Sequence, residues 1–159
     1  MKKEYYLDPD IRRMMLFPAF FIIVAREVVN IVVLLFGGDG VDIRDYIIFL
    51  LAFIFALYTL LVAYTEKIVV SPDGITLERI GLSVFIKWQD MDRIAYRRTL
   101  GITYEGVFTP REKAVLKGIE SYGVLGKEVY VNLFRYAEHW RDSELGSQIK
   151  QYAPHLFNR

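Results

Sequence analysis

Two long apolar runs fill most of the first 64 residues: Met14–Phe36 (MMLFPAFFIIVAREVVNIVVLLF) and Tyr46–Tyr64 (YIIFLLAFIFALYTLLVAY). At about 1.5 Å rise per residue, each is long enough to cross a hydrocarbon core roughly 30 Å thick. The second contains nineteen residues without a charge, which is unusual for a helix of a soluble fold. The first is too long for the apolar core of a signal peptide, lacks a small-x-small cleavage site and is followed at once by the second, so it reads as a retained helix. The chain therefore divides into an N-terminal tail (1–13), a two-helix transmembrane hairpin (14–64) and a soluble domain (65–159). About 95 residues remain after the second run, enough for one small domain with its own core.

Charge sets the expected orientation. Lys2, Lys3, Arg12 and Arg13 precede the first run, whereas the linking segment Gly37–Asp45 (GGDGVDIRD) carries Arg44 against three aspartates. The positive-inside rule places the tail and the C-terminal domain in the cytoplasm, as an integral protein of the cell membrane. The glycine cluster at 37–40 ends the first helix and turns the chain. Tyr46 and Tyr64 bracket the second run where interfacial aromatics belong.

Arg26, Glu27 and Asn30 interrupt the first run near its midpoint. Spacings of three and four put Asn30 on the same side of a helix as Glu27 and Arg26. A charge at the bilayer centre costs about 2.5–3.5 kcal/mol, so such residues usually face protein or water. Three readings follow: a docking face for another membrane subunit, an arginine snorkelling from a tilted or Pro18-broken helix, or a proton or ion pathway. A single neighbouring pair without a relay gives the last little support.

Beyond Thr65 the pattern becomes short and β-like. Lys67–Ser71 leads into Pro72-Asp73-Gly74, a turn with proline at its first central position and glycine available for positive φ. Ile75–Ile80, Ser83–Trp88, Arg93–Arg98, Gly101–Phe108 and Val129–Phe134 follow as strands, with a further β segment at Gly118–Tyr122. Thr109-Pro110-Arg111-Glu112 has the form of a capping box opening a short helix or helical turn to Lys117. Asp142 or Ser143 can cap a last helix bearing Leu145, Ile149 and Tyr152 on one face and ending at Pro154.

The run Asp73-Gly74-Ile75, Arg79, Gly81, then Ile86, Trp88, Asp90, Met91 and Ile94, together with the closing NLFRYAEHWRDSELGSQIKQYAP, resembles the bacterial pleckstrin-homology-like (bPH) proteins. The resemblance covers residues 65–157. It implies an α+β membrane protein in which the helical hairpin precedes a PH-like antiparallel β partial barrel, closed by a C-terminal capping helix. In layout alone the chain is also similar to the photosystem I assembly factor. The resemblance implies interaction or scaffolding rather than catalysis. Fold relatives bind phosphoinositides through basic residues flanking the first hairpin, but here that turn is short and acidic.

Other chemistry finds little footing. There is no cysteine, so no disulfide, thiolate metal site or thiol nucleophile. His139 and His155 lack ligand-spaced partners, and no base stands near a serine or threonine at a catalytic spacing. Asp90 and Asp92 read as solvated turn residues. No metal or cofactor is expected. Arg93, Arg97 and Arg98 form a small basic group suited to lipid or partner contact, with Arg93 and Arg97 on one strand face and Arg98 on the other. From Thr65 onward 14 basic residues face 12 acidic ones, which argues against nucleic acid. Trp88 and Trp140 belong to the core or, if exposed, to a partner surface.

The expectation is a non-enzymatic, membrane-anchored interaction or scaffold module, an accessory or assembly subunit docking other integral membrane subunits through Arg26, Glu27 and Asn30. The alternative is a self-associating module, a homo-oligomer, that contacts anionic membrane lipids.

Overall fold

A computed structural model of the protein describes residues 2–36, 43–99, 102–119 and 126–158. It comprises two compact units: one of residues 9–64, the other of residues 1–8 with 65–159.

The first unit is two helices, α1 (Pro9–Phe36) and α2 (Ile43–Thr65). Both are long and apolar enough to cross a membrane, over Pro9–Val32 and Tyr46–Thr65. Helix α1 starts five residues before the apolar run at Met14, because Pro9 and Asp10 make a favourable first turn. The helices run antiparallel: Arg12, early in α1, lies over the ring of Tyr64, late in α2, at 5.4 Å. Little of either apolar span is covered, none of the first window and 17% of the second. Phe17, Phe20, Phe21, Leu51 and Phe55 all point outward. The glycine turn expected at 37–40 lies outside the described residues.

The second unit is a small antiparallel β domain with a C-terminal helix. Its strands are β1 (Lys3–Tyr6), β2 (Lys67–Ser71), β3 (Gly74–Arg79), β4 (Leu82–Lys87), β5 (Arg93–Thr99), β6 (Ile102–Pro110), β7 (Val115–Lys117) and β8 (Glu128–Asn132). They form two sheets, ordered β1-β2-β3-β4-β7 and β5-β6-β8. The helix α3 spans Glu144–Tyr152 and is capped by Ser143, whose side chain accepts from the Gly146 N–H.

Strand β1 is the largest departure from expectation. Residues 3–6, read as part of a tail, pair antiparallel with β2, with Lys3 opposite Val70 and Tyr6 opposite Lys67. Leu7 follows at 2% exposure, the Asp8 N–H donates to the Arg135 carbonyl at 2.9 Å, and Lys3 forms an ion pair with Glu144 of α3. Sheet pairing and burial outweigh the polar composition of this short segment.

The hairpin β2–β3 closes through Pro72-Asp73 alone. Gly74 does not take the positive φ expected of it; it is already the first residue of β3, opposite Lys87. Its requirement is close approach, since a Cβ there would run into the Ile86 carbonyl. Positive φ falls instead at Gly81 (78°), in the Ile80-Gly81 connection to β4. Of the short helix or helical turn expected from Pro110 to Lys117, only a single 3-10 turn forms. Thr109 and Pro110 continue β6 opposite Val129 and Glu128. Arg111–Lys113 make one 3-10 turn, and Val115–Lys117 form β7 on the edge of the first sheet. Of the segment expected at Gly118–Tyr122, Gly118 and Ile119 are not in a strand and the rest lies outside the described residues.

The core lies between the sheets and α3. It includes Ile68, Val70, Ile75, Val84, Ile86, Val107, Val131 and Leu133, closed by Leu145 and Ile149 of α3. Each such side chain, fully buried, contributes about 1.5–3 kcal/mol of transfer free energy.

Candidate functional site

In the helical unit, the four-residue spacing of Arg26 and Asn30 places both on one side of α1. They line a groove of about 320 Å³ with Tyr46, Phe49, Leu50 and Phe53 of α2. Arg26 is exposed and Asn30 half-buried. The side chain of Glu27 lies outside the described residues. A guanidinium and an amide set among aromatic rings can donate several hydrogen bonds into an otherwise apolar surface. A carbonyl or carboxylate on an apposed helix would satisfy them.

The β5 arginines occupy three different settings. Arg93 is held by Asp92 at 2.6 Å and Glu128 at 2.9 Å, and it lies over the Phe108 ring at 4.9 Å. Hydrogen bonds to Glu128 and Asp92 hold its pKa above the ordinary value. Its charge is thus matched within the domain. Arg97, on the same face, lies 5.6 Å from the ring centre of Tyr130 and is exposed. Arg98, on the opposite face of the strand, is also exposed.

Both tryptophans are core residues. Trp88, 6% exposed, donates to the Ser71 carbonyl at 2.8 Å and stacks on Tyr152 of α3 at 5.5 Å. Trp140, 2% exposed, donates to Glu105 Oε2 at 2.8 Å. Arg141 grips the same carboxylate, with Nη2 to Oε1 at 2.6 Å and Nε to Oε2 at 3.0 Å. This carboxylate on β6 thereby fixes the segment that enters α3. His155 lies 3.2 Å from the Met91 carbonyl and His139 is exposed. Among the described residues, no group of three or more His, Cys, Asp or Glu could hold a metal ion.

One cluster escaped sequence reading. Glu66, the residue after α2, is 2% exposed. Its Oε1 accepts from the Tyr136 hydroxyl at 2.9 Å and pairs with Arg135 Nη1 at 2.9 Å. Burial first, and then the charge of Glu66, raise the Tyr136 pKa well above its ordinary value. These residues border a pocket of about 450 Å³ that Arg79, Arg97, Tyr130 and Asn132 also line. The available signal was a lone acid flanked by an apolar helix and an apolar strand. Its partners lie about 70 residues away in sequence, so only the folded domain brings them together.

Comparison with known proteins gives no matching family model, no matching curated protein and no matching solved structure.

Proposed function

We propose that this protein is a membrane-anchored interaction module without catalytic activity, an accessory or assembly subunit of a larger membrane complex. The observation that carries the reading is the groove between α1 and α2, where Arg26 and Asn30 meet the aromatic rings of α2. A core helix of a soluble protein is mostly buried, whereas none of the first span's window and 17% of the second's is buried. Lipid is the natural cover for the exposed apolar surface. A guanidinium in the middle of a lipid-covered span then needs a protein partner or water.

The topology supports an even number of spans. The chain enters α1 from β1 and leaves α2 into β2, and these two strands are neighbours in one sheet. On this reading both ends of the helical pair lie on one side of the bilayer. The flanking Lys2, Lys3, Arg12 and Arg13 favour the cytoplasmic side. The two antiparallel sheets and closing helix suit a PH-like domain, which would brace or recruit a cytoplasmic partner.

The test is purification of the tagged protein from its native membrane in mild detergent, followed by a native gel and mass spectrometry of the band. Wild type is expected inside a larger assembly, and Arg26→Leu and Asn30→Leu are expected to release it while the β domain stays folded. If both variants keep every partner, the docking face is wrong. Migration alone or as a small homo-oligomer would favour the alternative, a self-associating module at the lipid surface. The exposed Arg97 and Arg98 favour that alternative, each worth about 1 kcal/mol near anionic lipid.

A further inference from the structure

The pocket beside Glu66 has no part in the docking reading, and its chemistry is specific. Among the described residues its lining combines the guanidinium groups of Arg79, Arg97 and Arg135, the last paired with Glu66, with that one carboxylate, so this lining carries an excess of positive charge. Arg97 stands at an exposed position with its guanidinium over the Tyr130 ring, and no carboxylate pairs with it among the described residues. Forked guanidinium donors match the oxygens of a phosphate.

Two acceptors in the same lining point to a second requirement. Glu66 is 2% exposed, and although its Oε1 is engaged, its Oε2 has no hydrogen-bond partner among the described residues. Asn132 Oδ1 is likewise buried without one. Buried acceptors are almost always matched by donors, and an unmatched one is costly. A simple anion would suit the positive lining and worsen the environment of Glu66. A group with a phosphate at one end and N–H donors at the other satisfies both.

We infer that this pocket binds a phosphoethanolamine group, with its phosphate held by the arginines and its ammonium donating to Glu66 Oε2 and Asn132 Oδ1. The group can arrive as a free phosphomonoester or as the headgroup of phosphatidylethanolamine. Glu66 directly follows Thr65, the last residue of α2, so a membrane-spanning α2 would end one residue from this carboxylate. The lipid source rests on that membrane reading, and the free source does not.

The test uses the full chain in maltoside detergent and follows thermal unfolding with millimolar phosphoethanolamine or phosphocholine. Phosphocholine carries the phosphate but no N–H. Parallel samples sit in nanodiscs of phosphatidylcholine alone or with an equal part of phosphatidylethanolamine. Phosphoethanolamine, free or as lipid headgroup, is expected to raise Tm by a few degrees or more, and the choline counterpart by much less. Arg97→Gln, a change at an exposed position, is expected to weaken binding about tenfold, with Arg97→Lys between the two. A response to the free compound assigns a soluble ligand, and a response only in the mixed discs assigns the lipid. No response in either format, an equal response to the choline compounds, or an unchanged response in Arg97→Gln overturns the proposal. Docking is read by loss of a co-migrating protein and this site by Tm, so either can fail alone.

Discussion

Glu66 illustrates how much one side chain organises in this domain. It is buried where the chain passes from α2 into β2, and it ties Arg135 and Tyr136 to the start of the first sheet. Replacing it with alanine leaves the buried Tyr136 hydroxyl without its acceptor and removes the ion pair with Arg135. The expected cost is about 3 kcal/mol, read as a lowered urea midpoint of the β domain. The tyrosines around it also make stability depend on pH. Burial pushes the Tyr130 phenol up to about 12, and Tyr136 is raised well above the ordinary value of 10.0. Both folded-state values exceed the unfolded ones, so their contribution is complete below pH 10. It is lost as pH rises from about 10 towards 12, because the unfolded chain releases these protons first. Urea midpoints measured across that range should fall with pH, and Tyr136→Phe should make the decline shallower. A flat profile in the wild type would show that neither phenol is held neutral by the fold.

At the scale of elements, β1 is the segment whose contribution is most open to measurement. It adds an edge to the first sheet through four residue pairs and brings Leu7 into the core. Leu7→Ala should destabilise the β domain by about 2–5 kcal/mol. If residues 2–7 were an unattached tail, the same change would have no effect. Helix α3 has a simpler determinant: Ser143→Ala removes the side-chain acceptor for the Gly146 N–H and should cost about 1 kcal/mol in thermal or chemical unfolding. Legibility differs among these elements for physical reasons. β2 to β5 were readable because alternation and turn residues coincide with their boundaries, as at Pro72-Asp73 and Gly81. β1 was not, because four residues containing Lys3 and Glu4 have no strand signature until β2 supplies a partner. The Thr109–Glu112 capping box yields only one 3-10 turn, because the β6–β8 ladder claims Thr109 and Pro110 and β7 claims Val115–Lys117.

For the whole molecule, the pairing of β1 with β2 makes a topological prediction. The chain has no cysteine, so single introduced cysteines report cleanly on sidedness. In sealed native vesicles, Lys2→Cys and Asn158→Cys should label from the same side with an impermeant maleimide, and Asp42→Cys from the other. Labelling of all three from one side would remove the membrane hairpin and leave the apolar helices to pack against protein instead.

The sequence by itself determined the two long apolar helices, the antiparallel β character that follows, and the capped helix at the C-terminus. Those features follow from hydrophobic length, periodicity and local cap or turn chemistry, which act within a few residues. Tertiary structure alone decided that residues 3–6 join the sheet, that Trp88 and Trp140 are core rather than surface, and that Arg93 is neutralised while Arg97 is not. It also decided that Glu66 meets Arg135 and Tyr136 beside a pocket. Each of those outcomes depends on partners distant in the chain, and no local pattern encodes which distant donor, carboxylate or strand edge a residue will meet.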